Sequence, residues 1–421
     1  MNSIQSPVPR DPAFDNTLAL KREGYRFVGN RCDRYGTDGF ETRLLLRNVL
    51  CLRGEEAARL VYGEGLFTRK GAMPPTTLRL LQDKGSVQSL DGAAHRHRKA
   101  MFVRLLMENS PDDLVASFER HWQAALPEWQ SKGEVELFGA VNLVLTRASA
   151  EWVGVPKGAI ADDDLCRRLV DMVEEAGHVG PGMWGTLLRR ATLERRVRRW
   201  VEDARKGELG AGDTPFQGIA AHRDETGELL SPAAAAVEVI NLLRPIVAIG
   251  RYIVFAAMAL HDHPEWRKRF AGGDDSAVEP FVEEVRRLYP FFPAIGGVAL
   301  RPFTWGGKPY KKGQWVLLDI YGTNHDARLF PAPKSFDPER KVSWKDQDFR
   351  FVPHGAGDAR TDHRCPGESV TVAIMAAAVR WLTQKMTYDV PRQDLKLSLH
   401  RLPALPPSGF RMGTIKAIGG R

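Results

Sequence analysis

The residues with the clearest chemical potential surround one cysteine of the 421-residue chain. Cys365 follows Phe351-Val352-Pro353-His354-Gly355-Ala356-Gly357, a five-residue run, and His363-Arg364, and it precedes Pro366-Gly367. Behind it, Val370 to Lys385 is free of proline and predicts a helix. Glycines let a backbone approach a flat ligand closely. A cysteine at a helix N-terminus has its thiolate stabilised by the dipole and the free amides. His363 and Arg364 beside it offer donors to carboxylates. These are the requirements of a thiolate that ligates haem iron. An isolated cysteine in a loop would read as a small buried residue; here the surrounding pattern outweighs that reading. The other cysteines, Cys32, Cys51 and Cys166, are far apart and form no Cys-x-x-Cys, so neither a disulfide framework nor a sulfur-rich zinc site is expected.

The second unusual position is a cation. Ala233 to Leu260 is the longest apolar stretch, and Arg244 and Arg251 interrupt it. It therefore falls short of the roughly 18 uncharged residues of a membrane span and reads as a buried helix. Ser231 is a good N-cap, Pro232 suits the first position, and His261-Asp262-His263-Pro264 ends it. Between Pro232 and Leu260 there is no threonine, serine or aspartate, and the only acid is Glu238. Burying Arg244 unpaired would be very costly, so it should meet an anion, and a guanidinium takes a carboxylate in a two-pronged geometry. Glu238 lies six residues away, about 120° around the helix, and is a poor partner. Pro245 removes a backbone hydrogen bond and should kink the helix.

The elements that must position these groups are mostly helical. Asn48 to Tyr62, Ala94 to Leu106, Asp112 to Leu126, Glu136 to Trp152, Thr186 to Arg205 and Val278 to Tyr289 all lack internal proline. Val298 to Phe303 and Gln314 to Ile320 read as strands, with a hairpin tip at Trp305-Gly306-Gly307-Lys308. The fold class is mainly α with a small β-sheet region, and with no linker or repeat the chain reads as one domain over 1–421. At 43% hydrophobic and 27% charged it can bury a sizeable core. Glu284 and Arg287 stand three apart on one helix face, and Phe336-Asp337-Pro338-Glu339-Arg340 lies between that helix and the cysteine loop.

Taken in order, these three motifs resemble the cytochrome P450 superfamily over essentially the whole chain. The resemblance implies a haem b cofactor between the central helix and the cysteine helix, Cys365 as axial ligand of its iron, and Glu284, Arg287 and Arg340 as a structural triad bracing the cysteine loop. The central helix lacks the acid–alcohol pair that usually moves protons to bound dioxygen. Arg244-Pro245 in its place, and the fourteen positions from Phe351 to Cys365, resemble the bacterial fatty-acid peroxygenases of that superfamily. Asp15-Asn16-Thr17-Leu18 with Glu23-Gly24-Tyr25, Asp91-Gly92 with His95 and Arg98-Lys99, and Glu284 to Phe292 fit the same group.

That group implies hydrogen peroxide as oxidant, with no dedicated redox partner, and a fatty-acid carboxylate held by Arg244 as the missing acid–base group. Oxidation would then fall on the alpha or beta carbon, giving a hydroxy acid or, by decarboxylation, a terminal alkene. Gln88 stands where histidine goes with decarboxylation and glutamine with hydroxylation, so hydroxylation is expected. His95, Lys99, Arg69 and His363 match positions that hold the haem propionates. Gln82 replaces a phenylalanine of the distal pocket, and Phe291 and Phe292 are candidates to line it.

Other signals are weaker. The basic helix carrying Arg189, Arg190, Arg195, Arg196, Arg198 and Arg199 is interleaved with Glu194 and Glu202 and reads as a solvated face rather than a membrane-surface or nucleic-acid site. His261 and His263 suit a helix end better than a metal. The net charge of +8 modestly favours anionic substrates. The polar, Pro-rich start and the lack of a transmembrane segment point to a cytoplasmic protein. The rival functions are a conventional monooxygenase fed by redox partners and a non-catalytic haem or fatty-acid binding protein.

Overall fold

The computed structural model describes residues 8–419 except 84, 110, 179, 210–211 and 345–346. Its organising element is the central helix Pro232–Asp262, 31 residues long. The Ser231 hydroxyl accepts from the Ala234 N–H at 3.1 Å, the cap its sequence predicts. The helix packs against Leu137–Val153, Asp163–Glu174, Pro181–Arg205 and the cysteine helix Glu368–Arg380. Surrounded on all sides, it is apolar all round rather than striped. It is the one described helix long and apolar enough to cross a membrane, and 78% of its apolar window is buried inside the protein, as in a core helix. Its helical span continues through Pro245 without a break. Pro245 is exposed while its neighbours Arg244 and Ile246 are buried, so open space borders the helix there.

The strands are β1 (Gly39–Leu44), β2 (Arg47–Leu52), β3 (Phe67–Thr68), β4 (Glu134–Glu136), β5 (Ala294–Ala299), β6 (Phe303–Trp305), β7 (Lys308–Tyr310), β8 (Trp315–Asp319), β9 (Met386–Asp389) and β10 (Arg411–Ala417). The largest sheet runs β1-β2-β8-β5-β3; β4-β10-β9 and the β6–β7 hairpin are separate. Two sequence expectations need correction. Asn48 to Tyr62 is not one helix: β2 occupies its start and the helix begins only at Glu55. Pairing with β1 on one side and β8 on the other fully buries Leu50, Cys51 and Leu52, and this tertiary context decides the strand. Gly54, at φ +96°, separates strand from helix. The strand expected at Val298 to Phe303 is divided between β5 and β6, because Pro302 cannot donate to a ladder. The hairpin tip at Trp305 to Lys308 is present, with Gly306 and Gly307 at φ +56° and +72°.

Tyr25 fastens the N-terminal segment to the core: its hydroxyl donates to the Phe291 carbonyl at 2.5 Å and accepts from the Ala404 N–H at 3.1 Å. Gly24 precedes it at φ +55°, and a Cβ there would lie 1.9 Å from the Leu399 carbonyl oxygen. Gly24→Ala is therefore expected to destabilise the protein by more than ~1 kcal/mol, through strain and clash together, seen as a lowered thermal midpoint.

Candidate active site

The cysteine loop is drawn tight by its glycines. Gly355 and Gly357 adopt φ +92° and +80°, and a Cβ on them would lie 2.8 Å from the Tyr62 hydroxyl and 2.3 Å from an Asp362 oxygen. The Cys365 N–H donates to the His354 carbonyl at 2.9 Å. The long segment before the cysteine folds on itself through Asp362, which accepts from the Asp358 N–H at 2.8 Å. Cys365 is half-buried. Burial raises its thiol pKa, while the Gly367 N–H and the nearby Lys99 lower it.

Glu284 is the hub of the expected triad. It accepts from Arg287 at 2.6 and 2.7 Å, from Arg340 at 3.1 and 3.3 Å, and from the Asp337 N–H at 3.0 Å. Arg287 also donates to the Asn324 carbonyl at 3.1 Å, and Asn324 accepts from the Val352 N–H at 2.9 Å, which reaches the cysteine loop. A second brace escaped the sequence reading. Arg286, fully buried, pairs with Glu283 and Glu368 and donates to His354 Nδ1 at 2.8 Å. Arg364 holds the other oxygen of Glu368 at 2.8 Å. Burial works against the Glu368 charge, but Arg286, His354 and Arg364 outweigh it and hold the carboxyl at about 2. The doubled arginine after Glu284 and the glutamate directly after Cys-Pro-Gly were the available signals.

Buried cations are numerous around the site. Nine arginines are buried among the described residues: Arg31, Arg69, Arg98, Arg190, Arg244, Arg251, Arg286, Arg287 and Arg340. Seven have a carboxylate at ion-pair distance; Arg69 and Arg244 have none. Arg69 donates to the Gly296 carbonyl at 2.6 Å and lies over the Tyr62 ring. Nearby, the His95 and His363 rings stand 4.1 Å apart. Burial and the adjacent cations depress them to about 4 and 2, so both are neutral. Lys99 donates at 2.5 Å to the carbonyls of Asp362 and Arg364, leaving one of its three N–H groups. Arg69, His95, His363 and Lys99 thus offer donors and surplus positive charge beside a thiol in a glycine loop. This donor set fits the carboxylates and iron of a haem.

On the central helix, Arg244 Nη1 donates to the Leu80 carbonyl at 3.2 Å. Burial and the neighbouring Arg190, opposed by the charge of Asp83, press its pKa down to about 9, which leaves it a cation at neutral pH. Glu238 is not its partner: Glu238 is held by Arg98 at 2.8 Å, the Val87 N–H at 2.8 Å and Asn241 at 3.1 Å. The Asn241 amide also reaches the Gln88 side chain and the Gln82 carbonyl, both at 3.4 Å. The buried Gln82 and Asn241 side-chain oxygens have no protein partner. Gln82, Gln88 and Arg244 are therefore gathered on one side of the central helix. Phe291 packs on Tyr252 at 5.0 Å between ring centres and beside Arg251, about two turns beyond Arg244. Phe292 is 43% exposed.

The basic helix is only partly the solvated face expected. Arg196 and Arg198 pair with Asp162 and Glu202 near the surface. Arg190 is fully buried: it shares the Leu80 carbonyl with Arg244 at 2.8 Å and pairs with Asp83 and Glu194. Its partners turn inward because the helix packs on the central one. His263 stacks on Phe336, and no metal-holding cluster occurs among the described residues.

Residues 277–413 match the family model described as cytochrome P450. Cytochrome P450SP alpha in complex with (R)-ibuprophen is 41% identical, with a TM-score of 0.91 over 96% of this chain and 99% of its own. Cytochrome P450EX alpha with myristic acid is 38% identical, with a TM-score of 0.93 over 98% of this chain and 100% of its own. Ligand-free cytochrome P450 OleT is 29% identical at the same TM-score and coverage as P450EX alpha. A curated relative, cyclooctat-9-en-7-ol 5-monooxygenase of Streptomyces melanosporofaciens, is 23% identical over 89% of this chain and 87% of its own.

Replacing Arg286 by alanine would leave Glu283 and Glu368 buried without their shared cation. A loss of roughly 3–5 kcal/mol is expected, measured by denaturant unfolding of the Arg286→Ala protein.

Proposed function

The chain belongs to the cytochrome P450 superfamily, among the relatives of P450SP alpha, P450EX alpha and OleT, and from that membership we propose that it is a fatty-acid peroxygenase that uses hydrogen peroxide to hydroxylate the alpha or beta carbon. The observation that carries this reading is Arg244, a buried cation with no carboxylate of its own. The ligands of two related structures, myristic acid and (R)-ibuprophen, are both carboxylic acids.

Bound haem b, ligated by Cys365 and with its carboxylates at Arg69, His95, His363 and Lys99, would supply the oxidising power. The chain's own part is binding and proton handling. Arg244 grips the substrate carboxylate through its guanidinium and so fixes which carbon is presented; positioning of this kind sets regiochemistry. No side chain of the central helix offers a free acid at this point, since Glu238 is fully buried and tied to Arg98. The substrate carboxylate is then the group that takes a proton from one peroxide oxygen and returns it to the other as water leaves. General acid–base help of this kind is worth about 10²–10⁴-fold. Gln88 cannot titrate, and its contact with Asn241 keeps a neutral amide beside the carboxylate, which favours hydroxylation.

Three outcomes follow. Purified haem-loaded protein with a fatty acid and hydrogen peroxide, and no reductase, is expected to yield hydroxy acids in gas chromatography with mass spectrometry. Turnover with reductase but not peroxide would instead favour a conventional monooxygenase. Arg244→Ala is expected to lower fatty-acid oxidation by at least about 10²-fold, while a short carboxylic acid added as decoy restores oxidation of a neutral substrate. Gln88→His is expected to raise the terminal alkene fraction among the products.

A further inference from the structure

The hairpin that joins β1 to β2 turns on an unusual pair of residues. Leu44 pairs with Arg47, so the loop is only Leu45-Leu46, with φ of +52° and +61°. Two-residue turns of this form strongly favour Asn-Gly because both positions need positive φ. Leucine is strained there, and both side chains stand in solvent, 52% and 71% exposed. The start of the Thr17–Glu23 helix is fastened against this turn. The Leu45 N–H donates to the Thr17 hydroxyl at 2.6 Å and the Leu46 N–H to Asp15 at 2.7 Å. Phe14 and Leu18 flank that contact, 74% and 69% exposed. Cations border the four apolar side chains. Arg43 lies over the Phe14 ring, Arg47 follows the turn, and Lys21 and Arg22 share the helix face of Leu18. Asp15 is engaged by backbone donors, and Glu23 by Arg31 and Asn30.

We propose that this tip is a docking site for the surface of an anionic lipid bilayer. Exposed apolar side chains ringed by lysine and arginine match the acyl–headgroup boundary, with leucine and phenylalanine entering the apolar layer and the cations meeting phosphates. Four apolar residues on a hairpin tip are far fewer than the roughly 20–30 residues per side of a stable protein interface, which disfavours a second copy of the chain. The inference stands on the patch and is independent of the role of Arg244.

The test is flotation of the haem-loaded full chain with vesicles of phosphatidylcholine alone or mixed with phosphatidylglycerol. The paired substitution Leu45→Asn with Leu46→Gly supplies the preferred turn residues, so the fold should be kept and the thermal midpoint held or raised. The expected result is binding of the unsubstituted protein to the anionic vesicles, weakened by salt, and at least a severalfold loss in the paired variant. Phe14→Ser with Leu18→Ser, which leaves the turn intact, should show the same loss. No flotation on anionic vesicles, or equal flotation of both variants and the unsubstituted protein, would overturn the proposal. So would concentration-dependent dimerisation that the turn variant abolishes.

Discussion

A charge taken out of water must be answered by another charge, and that constraint organises this protein. Seven buried arginines are answered from within the chain, and their carboxylates tie together segments distant in sequence: Arg98 to Glu238, Arg251 to Glu174, Arg286 to Glu368, Arg340 to Glu284. Among the described residues, Arg69 and Arg244 have no carboxylate at ion-pair distance: carbonyl oxygens accept from them, and Asp83 acts on Arg244 only from farther off. One stands beside the cysteine loop with two neutral histidines, the other on the central helix. The proposed function assigns these two cations to anions from outside the chain.

Both braces of the cysteine loop follow from the same constraint. Glu284 binds two guanidiniums and a backbone N–H, and through Asn324 its network reaches the backbone of Val352. Arg286 holds Glu368 and His354 directly on either side of the cysteine. Removing one member of such a set strands the others in low dielectric, so the network ties the cysteine loop to the helices on either side of it. Beside Arg244 the device recurs: Arg190 pairs with Asp83 and Glu194 and shares the Leu80 carbonyl with Arg244, while burial and Asp83 push the Glu194 carboxyl up to about 7.

Much of this was legible in the sequence. The cysteine loop, the Glu284–Arg287–Arg340 set and the cap and length of the central helix depend on residue type at fixed spacing, which a linear reading captures. The helix wrongly expected at Asn48 was not legible, because β2 exists through partners from β1 and β8 and its buried run has no period that separates strand from helix. Arg190 was misread for the same reason: six arginines among acids look like a solvated face until the packing of one helix on another buries one of them.

The sequence by itself determined which chemical groups exist: a cysteine in a glycine loop, a cation in an apolar helix that has no hydroxyl residue near it and only one acid, and an arginine–glutamate pair at helical spacing. It also made Glu238 a poor partner for Arg244, by helical geometry alone. Only the tertiary structure decided which charges cancel. Pairing energy depends on distances of a few ångströms between residues up to hundreds apart in the chain, and on how deeply each is buried, and neither quantity is encoded in local spacing. That accounting sets Arg244 and Arg69 apart from the seven buried arginines that have a carboxylate at ion-pair distance, and it is what the proposed function builds on.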